Sequence, residues 1–407
     1  MRIAIINACH PDRKHVCAFR GTTFAEILTE DGNQVLLLTP PLRETGKGIN
    51  ETDLKEKLRR HDWSNYCQVT GGFTDKSILP LVRNGNVPTP IRQSIIAYNY
   101  LTRGNIYYDW VAPSSSLLPV IADVFKPDIV WAIFGNTSCW KMGQALANAV
   151  GCPWVADIKD NWQAFVPKGL RKITARKFQD AAAYTVLSQA HGDAFALTPP
   201  KGFKTVYNGI SPTLMASVKS YGNVSNLRDE ILITGSLYRS GILVQLLQAI
   251  LAWQRANPGT KISYAGGDKN ILEQAMSSSN SAVDVKNLGR LSPHDLWERQ
   301  RNVRINVYVR NPPNLFHHKL LELLAAGRPV LAYPGETDES HSIAKSANGL
   351  FFACEDQDQI HHALDQTAST ADASRDSTSL GQFSSQYQAK KLNELFSETI
   401  KRHGSQP

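Results

Sequence analysis

In the first half of the chain, short apolar runs alternate with segments whose apolar residues recur at helical spacing. IAIINA (3–8), VLLLTP (35–40), DIVWAIF (128–134), PWVADI (153–158) and TVLS (185–188) read as strands. TTFAEILTEDG (22–32), with Thr22 as N-cap and Gly32 as its stop, reads as a helix, as do KMGQALANAVG (141–151) and TARKFQDAAAY (174–184). Near-continuous apolar strands separated by helices indicate a parallel sheet covered by helices. Residues 41–110 break the rhythm, being irregular and rich in Asn, Gly, Pro and aromatics, with one helix expected at IRQSIIAYNYLT.

The alternation restarts at ILITGSL (231–237), followed by the helix ILVQLLQAILAWQRANPG. It continues through KISYAGG (261–267), VDVKNLG (283–289), INVYV (305–309), VLAY (330–333) and GLFFA (349–353). The turn at KTVYNGISP (204–212), with a linker through SYGNVSN, marks a boundary, and a polar Ser/Thr-rich stretch (367–385) precedes a closing helix, SQYQAKKLNELFSETIKRH. With 407 residues, the chain exceeds what one core supports. Two doubly wound α/β domains facing across a cleft are therefore expected, over 1–205 and 206–380, with 381–407 as the closing helix. Ligands in such sheets bind beyond the carboxyl ends of the strands.

Composition narrows the function. Hydrophobic residues make up 42% and charged residues 20%, as in soluble globular proteins. No apolar run approaches the roughly 20 residues that span a bilayer, and MRIAIINA reads as a strand and not as a leader. The six cysteines lack CxxC spacing, which points to free thiols in a reducing cytoplasm and away from a structural zinc site. A net charge of +8 suits anionic partners such as sugar nucleotides, pyrophosphate lipids or an acidic membrane face. No nucleic-acid-binding signature accompanies it.

The stretch richest in chemistry is NLFHHKLLELLAAGRPVLAYPGE, 314–336. Lys319 stands on the first turn of a predicted helix, where ammonium and helix N-terminus both favour phosphate. Glu322, one turn on, lies on the same face and is placed to accept hydrogen bonds from vicinal hydroxyls. The helix stops at Gly327 and hands over to the strand VLAY. Phosphate plus ribose hydroxyls describe a nucleotide, and Glu336, beyond the strand, serves as the uninvolved acid for comparison.

This segment resembles the donor-site signature of GT-B glycosyltransferases of the family 4 type. The resemblance implies that Glu322 holds the ribose of a sugar nucleotide, that Lys319 contacts phosphate, and that Asn314 stands where the family carries an acid for the sugar hydroxyls. It also implies that the closing helix packs back on the N-terminal domain. ITGSLYRSGIL (233–243) takes the place of the family's glycine-arginine loop, with Gly235 allowing close backbone approach and Arg239 offering a fork for phosphate oxygens. Arg239 reads equally as a surface arginine. AGGDKN (265–270) and NLGRLSPHDL (287–296), including Gly289, resemble the loops that wrap the nucleobase.

VADIKDNW (155–162) resembles the aspartate junction at which related enzymes face the acceptor. Asp160 is the first candidate to assist an attacking hydroxyl. Asp157 is either a second such acid or a buried structural one. The basic loop NACHPDRKHVCAFRG (7–21) places His10, Arg13, Lys14, His15 and Arg20 beside the first strand, as acceptor-side contacts or as a solvated loop. His317–His318 and His361–His362 are neighbours about 100° apart on a helix, so neither pair forms a metal face; no metal and no cofactor are expected. The implied activity is glycosyl transfer from a nucleoside-diphosphate sugar to a hydroxyl of a sugar or lipid-linked acceptor, as in polysaccharide assembly. Retention or inversion stays open, as do an epimerase or hydrolase on the same scaffold and a non-catalytic nucleotide-binding protein.

Overall fold

The computed structural model describes the chain except for residues 14–15, 43–47, 75–76, 200–201, 221–226, 280–283, 312–314, 369–376 and 406–407. The chain forms two compact units, Met1–Asn208 with Ser385–Pro407, and Gly209–Ser384.

The first unit is built on seven parallel strands: β1 (Arg2–Ile6), β2 (Gln34–Thr39), β3 (Cys67–Thr70), β4 (Ile129–Phe134), β5 (Trp154–Ile158), β6 (Ala183–Val186) and β7 (Lys204–Thr205). Their order is β3-β2-β1-β4-β5-β6-β7, so the direction of winding reverses between β1 and β4. Alternation along β1 sends Ala4 and Ile6 into one core layer and Ile3 and Ile5 into the other. The first layer is rich in aromatics that meet mostly edge to face, while Trp140 and Trp162 stack 5.5 Å apart. The second is closed by the helix Ser385–Gly404, whose Ala389, Leu392 and Phe396 are wholly buried beside Phe24 and Trp131.

The second unit holds six parallel strands: β8 (Arg228–Thr234), β9 (Lys261–Ala265), β10 (Val285–Gly289), β11 (Val303–Val309), β12 (Val330–Tyr333) and β13 (Phe351–Ala353). Their order is β10-β9-β8-β11-β12-β13, which places the reversal between β8 and β11. The strand ends that meet there carry Gly235 on one side and the segment leading to Lys319 on the other.

Several expectations are corrected. The first helix is Val16–Glu30, not 22–32, and Thr22 is no cap: its hydroxyl donates to the Ala18 carbonyl one turn back. Nine of that helix's residues are buried, so it lacks the polar stripe that marks an ordinary surface helix. Residues 41–110 carry the expected helix, as Thr89–Arg103, but also the helices Glu51–Arg60, Leu79–Arg83 and Tyr108–Ser115 together with β3. The helix expected over 174–184 ends at Arg176, with residues 183–186 forming β6. A helix, Pro212–Ser220, occupies part of the expected linker, and Pro293–Arg301 forms another where a loop was read.

Candidate functional site

In the second unit the helix Lys319–Ala325 follows β11 and ends at Gly327, whose φ of 89° needs glycine. Its side chains Leu320, Leu321, Leu323 and Leu324 are buried, which leaves Lys319 and Glu322 as the half-buried polar edge. Lys319 Nζ reaches back across the reversal to β8, 3.5 Å from the Thr234 carbonyl and 5.9 Å from the Tyr308 ring. A Cβ on Gly235 would stand 1.9 Å from that nitrogen, and Gly235 also has a φ of 92°. Only glycine therefore leaves room for the ammonium beside the backbone.

Burial pulls the Lys319 pKa down to about 8, against the opposing pull of Glu322 and Asp268. Burial raises the Glu322 pKa, and Lys319 offsets part of that rise. Glu322 accepts no side-chain hydrogen bond from the other described residues. An ammonium and a carboxylate with unfilled bonding capacity thus share one strand-end position.

The backbone around them is braced. Asp268 accepts from the Leu237 amide at 2.9 Å, and the Tyr264 hydroxyl donates to the Gly235 carbonyl at 2.9 Å. Gly266 and Gly267 are as crowded as Gly235: a Cβ would meet the Tyr264 hydroxyl at 2.0 Å in the first and Arg290 Nε at 2.4 Å in the second. Gly289, with a φ of 67°, accepts from the Gly266 amide at 3.0 Å. Arg290, next in sequence, adds an exposed cation beside this loop that sequence reasoning missed. Arg239 is exposed at the N-cap of the helix Ser240–Ala256. Asn314 lies outside the described residues.

Two expectations for this segment change. The amides of Leu320 and Leu321 bond to the carbonyls of His317 and His318, so the helix start offers fewer open N–H groups than its sequence suggests. Glu336 is no uninvolved acid. Its side chain has no exposed surface, and it accepts from the Tyr308 hydroxyl at 3.0 Å, from Ser340 Oγ at 3.1 Å and from the Thr337 amide at 3.0 Å. His317 Nδ1 sits 3.1 Å away. Burial alone would raise the Glu336 pKa, but the His317 contact, the Thr337 amide and Arg310 together bring it below the usual range. The network ties β11 to the turn before Lys319, and so sets where the lysine stands.

In the first unit, Asp160 and its neighbours lie at the carboxyl ends of β1, β4 and β5, where that sheet also reverses. Lys159, with only 5% of its side chain exposed, donates to Asp160 Oδ2 at 2.7 Å and to Cys17 Sγ at 2.9 Å. Asp160 keeps 28% of its side chain exposed. The nearby His191 is buried, bonded to Ser188, and its pKa falls to about 4, chiefly through burial.

Asp157 takes the structural alternative. It is wholly buried, gripped by Arg20 through Nε at 2.9 Å and through the terminal nitrogen at 2.6 Å, and it accepts from Thr185 at 2.6 Å. Arg20 is accordingly not a loop cation. It is fully buried, donates to the Val206 carbonyl and Asn208, and lies over the Phe24 and Trp131 rings. His10 is occupied by Gln68 at 2.8 Å and by the Asp12 amide at 3.2 Å, while Arg13 is exposed; Lys14 and His15 lie outside the described residues. Among the described residues no group of three or more His, Cys, Asp or Glu is arranged to hold a metal ion.

Comparison with solved structures decides the fold. A glycosyltransferase from Rickettsia africae superposes with a TM-score of 0.65, covering 98% of both chains at 12% identity. HepE of Anabaena, solved with UDP and glucose, gives 0.60 over 98% of this chain and 100% of that one, at 15% identity. The chain has the GT-B fold. The UDP-GlcNAc 2-epimerase of Methanocaldococcus jannaschii shares it, at a TM-score of 0.55, 10% identity and coverage of 98% and 100%. No protein-family model matches the chain, and no curated protein matches it in sequence.

Proposed function

We propose that this GT-B protein transfers a sugar from a nucleoside-diphosphate sugar to an acceptor hydroxyl. The observation that carries the reading is the Lys319–Glu322 pair at the sheet reversal, its ammonium set against Gly235 and its carboxylate without a hydrogen-bond partner among the described residues. In this reading Glu322 accepts from the ribose hydroxyls, Lys319 neutralises the diphosphate, and Arg239 and Arg290 lie within the same loop system. The turns at Gly235, Gly266 and Gly289 bring backbone groups close to the nucleotide, and the sequence resemblance assigns the sugar hydroxyls to Asn314.

Charge builds on the leaving diphosphate as the glycosidic bond breaks, and a pre-positioned cation that needs no reorganisation answers that demand. Asp160, partly exposed and held in place by Lys159, is the acid assigned to the acceptor side. Adding a chelator is expected to leave turnover intact. Activity lost to EDTA and restored by Mg²⁺ would overturn this part of the reading.

Melting curves with UDP, GDP, ADP and CMP test the donor site directly, since a ligand that binds the folded chain raises Tm. A response to one nucleoside diphosphate supports the site; silence to all four favours a non-catalytic role. The fold shared with the 2-epimerase motivates a second reading, in which no acceptor is needed. Incubating the donor alone separates the two: an epimerised sugar would replace transfer as the assigned activity.

A further inference from the structure

Seven of the twelve exposed large hydrophobic side chains among the described residues fall in two stretches of the first unit. Residues 78–108 carry Ile78, Leu81, Ile91, Tyr98 and Leu101; residues 161–179 carry Phe165 and Ile173. Neither stretch contains a single Asp or Glu, while together they hold eight Arg and Lys, three in the first and five in the second. Exposed apolar side chains are ordinary when scattered. Concentration in acid-free segments is not.

The two stretches are joined in space. The Tyr100 hydroxyl, on the helix Thr89–Arg103, donates to the Phe165 carbonyl at 2.7 Å. Arg171 then ties the helix Arg171–Arg176 to the Gln163 and Val166 carbonyls. Along Thr89–Arg103, Ile91, Tyr98 and Leu101 sit at offsets of seven and three, which puts them on one stripe. Leu101 is 60% exposed, and Ile173, flanked by Lys172 and Arg176, is 55% exposed. Arg83 is neutralised by Asp109. Lys168, Lys172, Arg176 and Lys177 have no acidic partner among the described residues. The acids that border the stretch are taken up elsewhere: Asp160 accepts from Lys159 and Asp180 from Gln144.

We propose that this surface docks the protein on an anionic lipid bilayer, with Tyr98, Leu101, Phe165 and Ile173 entering the headgroup boundary and the lysines and arginines meeting lipid phosphates. Apolar side chains interleaved with cations on short helices fit that interface, where each has a partner. No helix of the described residues is long and apolar enough to cross a membrane, so the contact is peripheral. A second copy fits less well, because a two-fold contact would press like charges together. A nucleic acid would use the cations but leave the aliphatic stripe unexplained.

The test is flotation of the full chain with vesicles of phosphatidylcholine alone and of phosphatidylcholine mixed with phosphatidylglycerol. Binding is expected only to the mixed vesicles and is expected to weaken with salt. Lys172→Ala is expected to weaken it roughly fivefold, and Leu101→Glu with Ile173→Glu by at least about tenfold. Circular dichroism melting and the nucleotide response verify that these variants still fold. No flotation overturns the proposal. So does loss on Lys172→Ala with full binding by Leu101→Glu/Ile173→Glu, which means a polyanion site, or a dimer in sedimentation velocity that the apolar change dissociates. The inference does not depend on the donor site: a chain that floats yet ignores every nucleotide would sink the sugar-transfer reading alone.

Discussion

Each unit carries a lysine–carboxylate pair at the place where its sheet reverses, and the two pairs differ in how completely the protein fills them. Lys159 is held by two bonds. Burial opposes its charge, but Asp160 and Cys17 outweigh that cost and raise its pKa. Among the described residues Lys319 makes one long hydrogen bond, to a carbonyl, and burial prevails over the pull of Glu322 and Asp268, leaving a pKa of about 8. A buried charge without a partner is unfavourable in the isolated protein, and that deficit is what an arriving anion removes. The closed pair builds structure around Asp160; the open pair is the better candidate for binding.

Breaking the most completely closed pair gives the largest effect. Arg20→Met strands Asp157 in the core and is expected to cost on the order of 3–5 kcal/mol of stability, read as a fall in urea midpoint. A variant as stable as the parent would show that burial here does not imply dependence.

At the open site, Glu322→Ala removes one or two charge-assisted hydrogen bonds of roughly 1.5–3 kcal/mol each. Affinity for the nucleoside diphosphate should fall by about tenfold to several hundredfold, with Tm nearly unchanged. Calorimetry showing parental affinity would remove Glu322 from the donor site.

Glu336→Gln probes the support behind the site. It keeps the shape but weakens the bonds to His317 and Tyr308, so stability should drop by about 1–3 kcal/mol. Nucleotide affinity should fall with it, because the turn before Lys319 loosens. Stability loss with unchanged affinity would uncouple this network from the lysine.

The smallest effect is the dependence on pH. The folded pKa of Lys319 lies below that of a free lysine, so between pH 8 and its unfolded value the folded state binds fewer protons and stability rises with pH. Binding runs the other way: as Lys319 loses its proton above about pH 8, affinity for a diphosphate should weaken by up to roughly tenfold per unit. Calorimetry in buffers of different ionisation enthalpy should detect proton uptake in that range, and Lys319→Arg should abolish it. Pairs already closed, such as Lys159–Asp160, predict no such uptake.

How much of this was legible in the sequence follows from range. The Lys319–Glu322 spacing, the Gly327 stop and the strand VLAY are local, and they were read correctly because helix geometry alone relates them. The partners of Arg20 and Asp157 lie 137 residues apart, and nothing in either segment announces the other. Glu336 read as uninvolved because it lies beyond the strand, yet Tyr308 and His317 enclose it from elsewhere in the fold. The short β3, CQVT, offers two buried positions, too few for a period-two signal to stand out. The first helix lost its opening turn to its own chemistry, since a run of His, Arg and Lys before it looks like solvent-facing loop.

The helix Ser385–Gly404 has a consequence for synthesis. It supplies Ala389, Leu392 and Phe396 to the core layer formed by Ile3, Ile5, Phe24 and Trp131, although some 176 residues of the second unit intervene (209 to 384). A chain emerging from the ribosome in order completes the second unit before the first. Until the closing helix is free, that face of the first sheet is covered only in part, by the helix Val16–Glu30, and a chaperone that shields aliphatic surface would find its substrate in the part left open. Truncation within the closing helix should therefore send newly made protein to aggregates, even with every residue of both sheets translated.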